Sequence, residues 1–283
     1  MTTDTLDAFR GASYEIAQTI APTWERRWAD IEQVSTPVRK WMLTELRPQA
    51  GDTVLEVAAG VGETGFEAAA IVGDRGHLIA TDFSPAMIDA ARRRGSALGL
   101  ANVDYRVMDA ERIELDADSV DGVLCRFGLM LMADPAAALA EARRVLRPGG
   151  RLTLAVWGAP ERNPFFGIIA TSLIQHGHID PPEPPPAPGV FSMASAERTE
   201  GLLRGAGFDE VRIEEVPSRF VFPDADEYLS LVADTAGPIA LALRGLPESD
   251  RATVEAEVED SLARFAGEVG YALPCVALCA TAS

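Results

Sequence analysis

Residues Thr53–Ala70 read TVLEVAAGVGETGFEAAA, and this stretch decides the fold. Thr53–Val57 is a short β-prone run, a Gly/Ala-rich turn follows it, and Phe66–Val72 is helix-prone. Gly60, Gly62 and Gly65 satisfy G-x-G-x-x-G between strand and helix, and Asp82 lies twenty residues beyond Gly62 at the end of the next β-prone run, His77–Thr81. Glycines in such a turn let the backbone approach a ligand closely, and a carboxylate at that spacing can accept from both hydroxyls of a ribose. The pattern implies an adenosine-type ligand, and a nicotinamide dinucleotide fits it as well.

Outward from this block, further strands are expected at Val103–Met108, Ser119–Cys125 and Arg151–Trp157. Helices opening at Ser84-Pro85 and Asp134-Pro135 precede the first and the last of them, each with a capping side chain and a proline in its first turn. Strands alternating with helices at this spacing form βαβ units and a mainly parallel sheet. Right-handed crossovers then put the ligand crevice at the strands' carboxyl ends, where the strand order reverses. Upstream, Trp24, Trp28 and Ile31 fall on one face of a helix with Pro22 near its start, and a second helix is predicted from Thr36-Pro37 to Arg47-Pro48. Downstream, a helix is expected over Asn163–Gln175, a polyproline II segment at Pro181–Pro188, and a helix from about Ser195 to Gly205. A strand over Glu210–Phe222, helices in Asp224–Ala266 and a last strand at Tyr271–Thr281 complete the reading, Pro274 suiting an edge or a strand end.

Composition narrows the function classes. With 47% hydrophobic residues the chain can build a core, and with 283 residues it holds one large domain or two small ones. A net charge of −18 opposes general binding to nucleic acid or to anionic lipid. Cys125, Cys275 and Cys279 have neither the even count of a disulfide framework nor CxxC spacing, so no metal site is expected. The basic start and apolar core of a secretory signal are missing, as is any long apolar run, which makes a cytoplasmic location the expectation.

Two acids at strand ends bear on the ligand's identity. Glu56 closes the first strand four residues before Gly60, where an anion would oppose a pyrophosphate but attract an ammonium or sulfonium. Asp109 closes the third strand, placed to receive an adenine amino group.

The blocks VLEVAAGVG (Val54–Gly62), ATDFSPAM (Ala80–Met87), RVMDA (Arg106–Ala110), VDGVLCR (Val120–Arg126) and VLRPGGRL (Val145–Leu152), in this order, resemble the class I S-adenosylmethionine-dependent methyltransferases. The resemblance is to the ubiquinone/menaquinone-biosynthesis branch and to bacterial natural-product methyltransferases, and it extends more weakly through Ala206-Gly207-Phe208 to the final strand. It implies an α/β, Rossmann-like doubly wound sheet, mainly parallel with an antiparallel last strand, and a helical cap. The cofactor would be S-adenosyl-L-methionine, leaving S-adenosyl-L-homocysteine. Glu56 and the turn through Ala58, Gly60 and Gly62 would hold the methionine end, and Asp82 the ribose. Phe83 and Met87 would pack on the adenine, Asp109 with the Ala110 backbone would meet its amino group, and Arg126 would give backbone contacts near the methionine and border the acceptor. Ala58 stands where the family has its first glycine; a tolerated replacement is expected, awkward if that residue needs a positive φ.

The expected division is a helical lid (1–48), the cofactor-binding core (49–158), a Pro-rich cap insertion (159–191), core again (192–222), a helical cap insertion (223–270) and the last core strand (271–283). The expected reaction moves a methyl group to a small hydrophobic or aromatic acceptor, O- or C-methylation favoured, in a monomer or homodimer. The catalytic residues are open: His176 and His178 form an H-x-H that could supply a base but read more simply as polar loop residues, while Tyr14, Trp24 and Trp28 could line an acceptor pocket or merely pack helices. A nicotinamide-dependent oxidoreductase and a non-catalytic adenosine-ligand-binding protein are the alternatives.

Overall fold

The computed structural model describes residues 3–185 and 187–283. Its centre is a seven-stranded sheet, β1 (Thr53–Glu56), β2 (His77–Asp82), β3 (Val103–Val107), β4 (Val120–Arg126), β5 (Leu146–Trp157), β6 (Val211–Phe222) and β7 (Tyr271–Ala282), in the order β3-β2-β1-β4-β5-β7-β6. β1 to β5 pair in parallel, and β7 runs antiparallel to both β5 and β6. The expected fold class is the observed one.

Side-chain alternation along the strands divides the core in two. Val54, Leu78, Leu124, Ala155 and Cys279 face one layer, packed under α2 (Trp28–Leu46), α3 (Glu63–Val72) and α4 (Pro85–Ala97). Leu55, Ile79, Val123, Leu154 and Leu278 face the other, which also takes up α5 (Pro135–Val145), α6 (Pro164–Gln175), α7 (Ala196–Gly205), α8 (Ala225–Thr235), α9 (Pro238–Gly245) and α10 (Glu248–Leu262). The remaining helix, α1 (Thr3–Arg26), packs on α4 through Ile20, Ala21, Met87 and Ala90. Because the strand order reverses between β1 and β4, the crevice opens at their carboxyl ends.

Local chemistry sets the helix starts near that crest. Ser84 caps α4 by accepting from the Met87 N–H at 3.3 Å, and Asp134 caps α5 through the Ala137 N–H at 3.0 Å, each followed by proline. The N-terminal helices differ from the expectation. The break falls at Arg27, so Trp24 and Trp28 belong to different helices, and Pro22 sits near the end of α1 rather than its start. Thr36-Pro37 opens nothing: α2 runs through it, since burial of Val34, Ser35, Val38 and Met42 outweighs the one backbone hydrogen bond that proline removes. β5 begins at Leu146, five residues early; Leu146 pairs with Val120 and Arg151 with Gly122, leaving Arg147–Gly150 as an irregularity within the strand. Pro274 lies in β7, which is interior to the sheet, but at a position paired with β6 alone, where the missing N–H leaves no rung unmade on the β5 side. Of the proline segment, Pro186 lies outside the described residues.

Candidate active site

Four neighbouring strands end together: β1 with Glu56, β2 with Asp82, β4 with Arg126 and β5 with Trp157. The turn after β1 is held by the two acids. Asp82 Oδ2 accepts from the Gly60 N–H at 3.0 Å and Oδ1 from the Ser84 N–H at 2.9 Å, so one carboxylate ties the glycine turn to the start of α4. Glu56 Oε1 accepts from the Gly65 N–H at 3.0 Å, and Gly65 has no room for a Cβ because that same carboxylate fills the space. Glu56 Oε2 is buried without a hydrogen-bond partner. Burial pushes the Glu56 carboxyl up to about 8, against the pull of Arg126 and of the Gly65 N–H. Burial likewise pushes Asp82 up to about 6, opposed by its two backbone donors.

Gly60 and Gly62 both have positive φ, 54° and 96°. A Cβ at Gly62 would run into the Phe66 ring, whereas at Gly60 it would meet nothing, so Gly60 faces open space over the crest. Ala58 has φ 52°, the left-handed conformation that the sequence made awkward for it. Its methyl fits because Gly128, opposite, has none: a Cβ there would collide with that of Ala58. Phe127 is left-handed too, with φ 60°.

Helix α1 covers the β2 and β3 ends. Gln18 Oε1 accepts from Ser84 Oγ at 2.6 Å and from the Ala86 N–H at 2.9 Å. Tyr14 stands edge-on to Phe83 with ring centroids 5.9 Å apart, and Arg10 Nε donates to Glu111 Oε2 at 3.0 Å. Met87 points into the α1–α4 contact, with Ile20 and Val61. Asp109 is exposed and Ala110 buried, and Asp109 Oδ1 accepts from the Glu111 N–H at 2.9 Å, which leaves its other oxygen free.

Beyond β4 the surroundings turn aromatic. Phe127 stacks on Trp157 at 4.2 Å between centroids, Phe166 meets Trp157 at 5.2 Å, and Phe191 meets Phe166 at 5.6 Å. A second stack, Phe165 on Phe220 at 4.0 Å, backs this group, and the Tyr228 hydroxyl donates to the Phe165 carbonyl at 2.8 Å.

Other candidates lie elsewhere. His176 and His178 follow α6, roughly 16 Å along the helix from Phe165 at 1.5 Å per residue. There His176 Nε2 pairs with Glu257 at 2.9 Å and His178 with Asp250 at 3.5 Å. Trp24 donates to the Thr235 carbonyl at 3.1 Å, and the exposed Trp28 carries the Arg94 guanidinium 4.4 Å above its ring. All three thiols are buried, each pushed up to about 12 by burial. Among the described residues there is no cluster of metal-ligating side chains, and no helix is long and apolar enough to cross a membrane. Gln18, Glu32, Glu111 and Phe127 had no signal in the sequence, where each reads as an ordinary helix or loop residue.

The residues from Val54 to Gly150 match the family model described as a methyltransferase domain. The aklanonic acid methyltransferase of Streptomyces sp. strain C5 is 32% identical over 190 residues, 62% of this chain and 84% of that protein. The chain belongs to the class I S-adenosylmethionine-dependent methyltransferases. A demethylmenaquinone methyltransferase of Clavibacter sepedonicus is 38% identical over 113 residues, and the chain spans 44% of the length of that relative. The crystal structure of the YcgJ protein from Bacillus subtilis shares the fold, with a TM-score of 0.58 and 17% identity over 86% of this methyltransferase chain and 96% of the other. The crest fits the family's cofactor, S-adenosylmethionine, on its own terms: an unpartnered buried carboxylate oxygen on Glu56, open space over Gly60 and an acid at the β2 end.

Proposed function

We propose that this methyltransferase transfers the methyl group of S-adenosylmethionine to a small hydrophobic or aromatic molecule, at oxygen or carbon. The observation that carries this reading is the junction at the β4 end: Arg126 lies beside the buried Glu56, and the next residue, Phe127, is stacked on Trp157. A charged crest thus adjoins an apolar, ring-lined wall. When bound, the cofactor supplies an already activated methyl group on a cationic sulfur.

The chain's own residues bind, orient and exclude water. Glu56 and the Ala58–Gly62 turn hold the amino-acid end, Asp82 the ribose, and Phe83, Asp109 and Ala110 the adenine, while Met87, expected there too, is taken up by the α1–α4 contact. Tyr14 covers Phe83 from α1. Phe127, Trp157, Phe166 and Phe191 receive the acceptor, so that flat apolar rings are favoured over peptides or nucleic acid. No imidazole stands at this junction, which suits an acceptor such as a phenol or enol that gives up its proton readily. Orientation of the reactants is worth roughly 7–11 kcal/mol of barrier in well-aligned systems. In this reading residues 1–48 form the lid, 159–191 and 223–270 the cap, and the remainder the core.

The test is to supply S-adenosylmethionine with a panel of phenols, quinols and aromatic polyketides and to follow S-adenosylhomocysteine by mass spectrometry. Methyl uptake by an aromatic member supports the reading. Methyl uptake only by peptides or nucleic acid overturns the acceptor class, and saturable binding of a nicotinamide dinucleotide in place of either adenosyl compound overturns the cofactor assignment.

A further inference from the structure

Glu32 is the least expected charge in the molecule. It lies in α2, is 6% exposed, and sits less than two turns before Val38, the first of the apolar residues that dock that helix under β1, β2 and β4. Its Oε1 is 2.6 Å from Arg126 Nη2, and its Oε2 accepts from Arg39, whose Nε is 2.7 Å from Glu67 Oε2. A buried carboxylate is costly unless its partners are well placed, and here both are arginines fixed from opposite sides. The ion pair joins the N-terminal helices to the end of β4.

What it leaves free is informative. Arg126 Nη1 is buried without a hydrogen-bond partner, and so is Glu56 Oε2. The two groups interact electrostatically without forming an ion pair with each other. One unsatisfied cationic donor and one unsatisfied carboxyl oxygen, at adjacent strand ends, are the complement of an α-amino acid's carboxylate and ammonium, the carboxyl giving up its proton as the ammonium binds. The guanidinium fork has five donors, so it can keep Glu32 and accept a second carboxylate.

We infer that the Arg126 side chain is the receptor for the carboxylate of the cofactor's methionine moiety, and that Glu32 is a positioning residue that aims it. The inference rests on the cofactor reading given above. It makes α2 part of the binding site: when α2 is displaced, Arg126 loses its aim and the amino-acid end loses its anchor, while the nucleoside end keeps Asp82. Glu56 takes the ammonium with its free oxygen.

The experiment compares S-adenosylhomocysteine, which has the amino-acid end, with 5′-methylthioadenosine, which lacks it, by calorimetry on the full chain. Glu32→Gln is expected to weaken S-adenosylhomocysteine by about tenfold, the scale of one charge-assisted contact, and to leave 5′-methylthioadenosine unchanged. Arg126→Gln gives the same selective loss, and the double variant adds little to it because the two residues act as one unit. Glu32→Asp keeps the buried charge but withdraws it, and gives a smaller loss of the same kind; it serves where the glutamine variant does not fold. Equal losses for both ligands, no loss in either Glu32 variant, or tighter binding of S-adenosylhomocysteine would overturn the assignment. If the unaltered protein binds neither ligand, the cofactor reading itself fails, and that result is distinct from the others.

Discussion

The two halves of the crest are built on opposite principles. Toward β2 and β3 the site is made of backbone and acids: Asp82 grips two N–H groups, Glu56 a third, and helix α1 closes over them through Gln18. Toward β5 it is made of rings, with Phe127 against Trp157, Trp157 against Phe166 and Phe166 against Phe191. The first half is organised around one glycine turn, whose N–H groups are tied down by the acids that end β1 and β2. The second draws its four rings from between Phe127 and Phe191, with gaps of 30, 9 and 25 residues between them. In the proposed reading the cofactor occupies the first half and the acceptor the second.

If the halves are separable, substitutions should separate them. Asp82→Ala has the largest expected effect: S-adenosylhomocysteine binding weakens by about 2–4 kcal/mol, read by calorimetry. It also leaves the Gly60 and Ser84 N–H groups without their acceptor, so folding loses about 1–3 kcal/mol per unsatisfied group, read by denaturant unfolding. An unchanged dissociation constant would mean that Asp82 does not hold the ribose.

The pH dependence of binding tests both acids. Glu56 and Asp82, raised to about 8 and about 6 from ordinary values of 4.5 and 3.8, are protonated more readily in the folded chain than in the unfolded one. Their contribution to stability is therefore complete below those ordinary values and is lost as the pH rises through about 6 for Asp82 and about 8 for Glu56. A cationic ligand favours the ionised carboxylates, so binding sheds protons, and affinity rises with pH up to about 8, by at most about tenfold per unit for Glu56. Glu56→Gln flattens the upper part of that profile. Affinity that falls over the same range contradicts the role of the acids.

Trp157→Leu tests the other half. It should leave the cofactor dissociation constant alone while lowering kcat/KM for an aromatic acceptor about fivefold, the scale of one lost ring contact worth about 0.5–1.5 kcal/mol. Equal damage to both parameters would mean that the halves are one unit. The smallest effect belongs to Ala58→Gly. Relief of the left-handed alanine stabilises the fold by up to about 1 kcal/mol, visible as a slightly higher Tm; a lower one would mean that the Ala58 methyl contributes more by packing against Gly128 than its backbone costs.

The same division explains what the sequence made legible. The sheet, its order of elements, the glycine turn and the acids at the strand ends were readable because each is a local pattern: a period of two, a cap, a glycine where φ must be positive. The helix break at Arg27 was not, since it follows from docking α1 on α4 and α2 on the sheet rather than from any local breaker. Glu32 was hidden for a related reason: an acid on an amphipathic helix reads as solvated until its tertiary neighbours, Arg39 and Arg126, are known. The H-x-H at His176 and His178 stood out in the sequence, yet the structure sets both imidazoles in carboxylate pairs with α10. Phe127 and Trp157, which meet face to face, lie thirty residues apart and carried no common signal.

In the proposed reading the acid-lined end of the crest receives a methionine-bearing nucleoside. Titrating the intact protein in parallel with S-adenosylhomocysteine and with NADH tests it most directly. The expected result is saturable, stoichiometric heat for the first and none for the second. Saturation by NADH, with no response to S-adenosylhomocysteine, would contradict it.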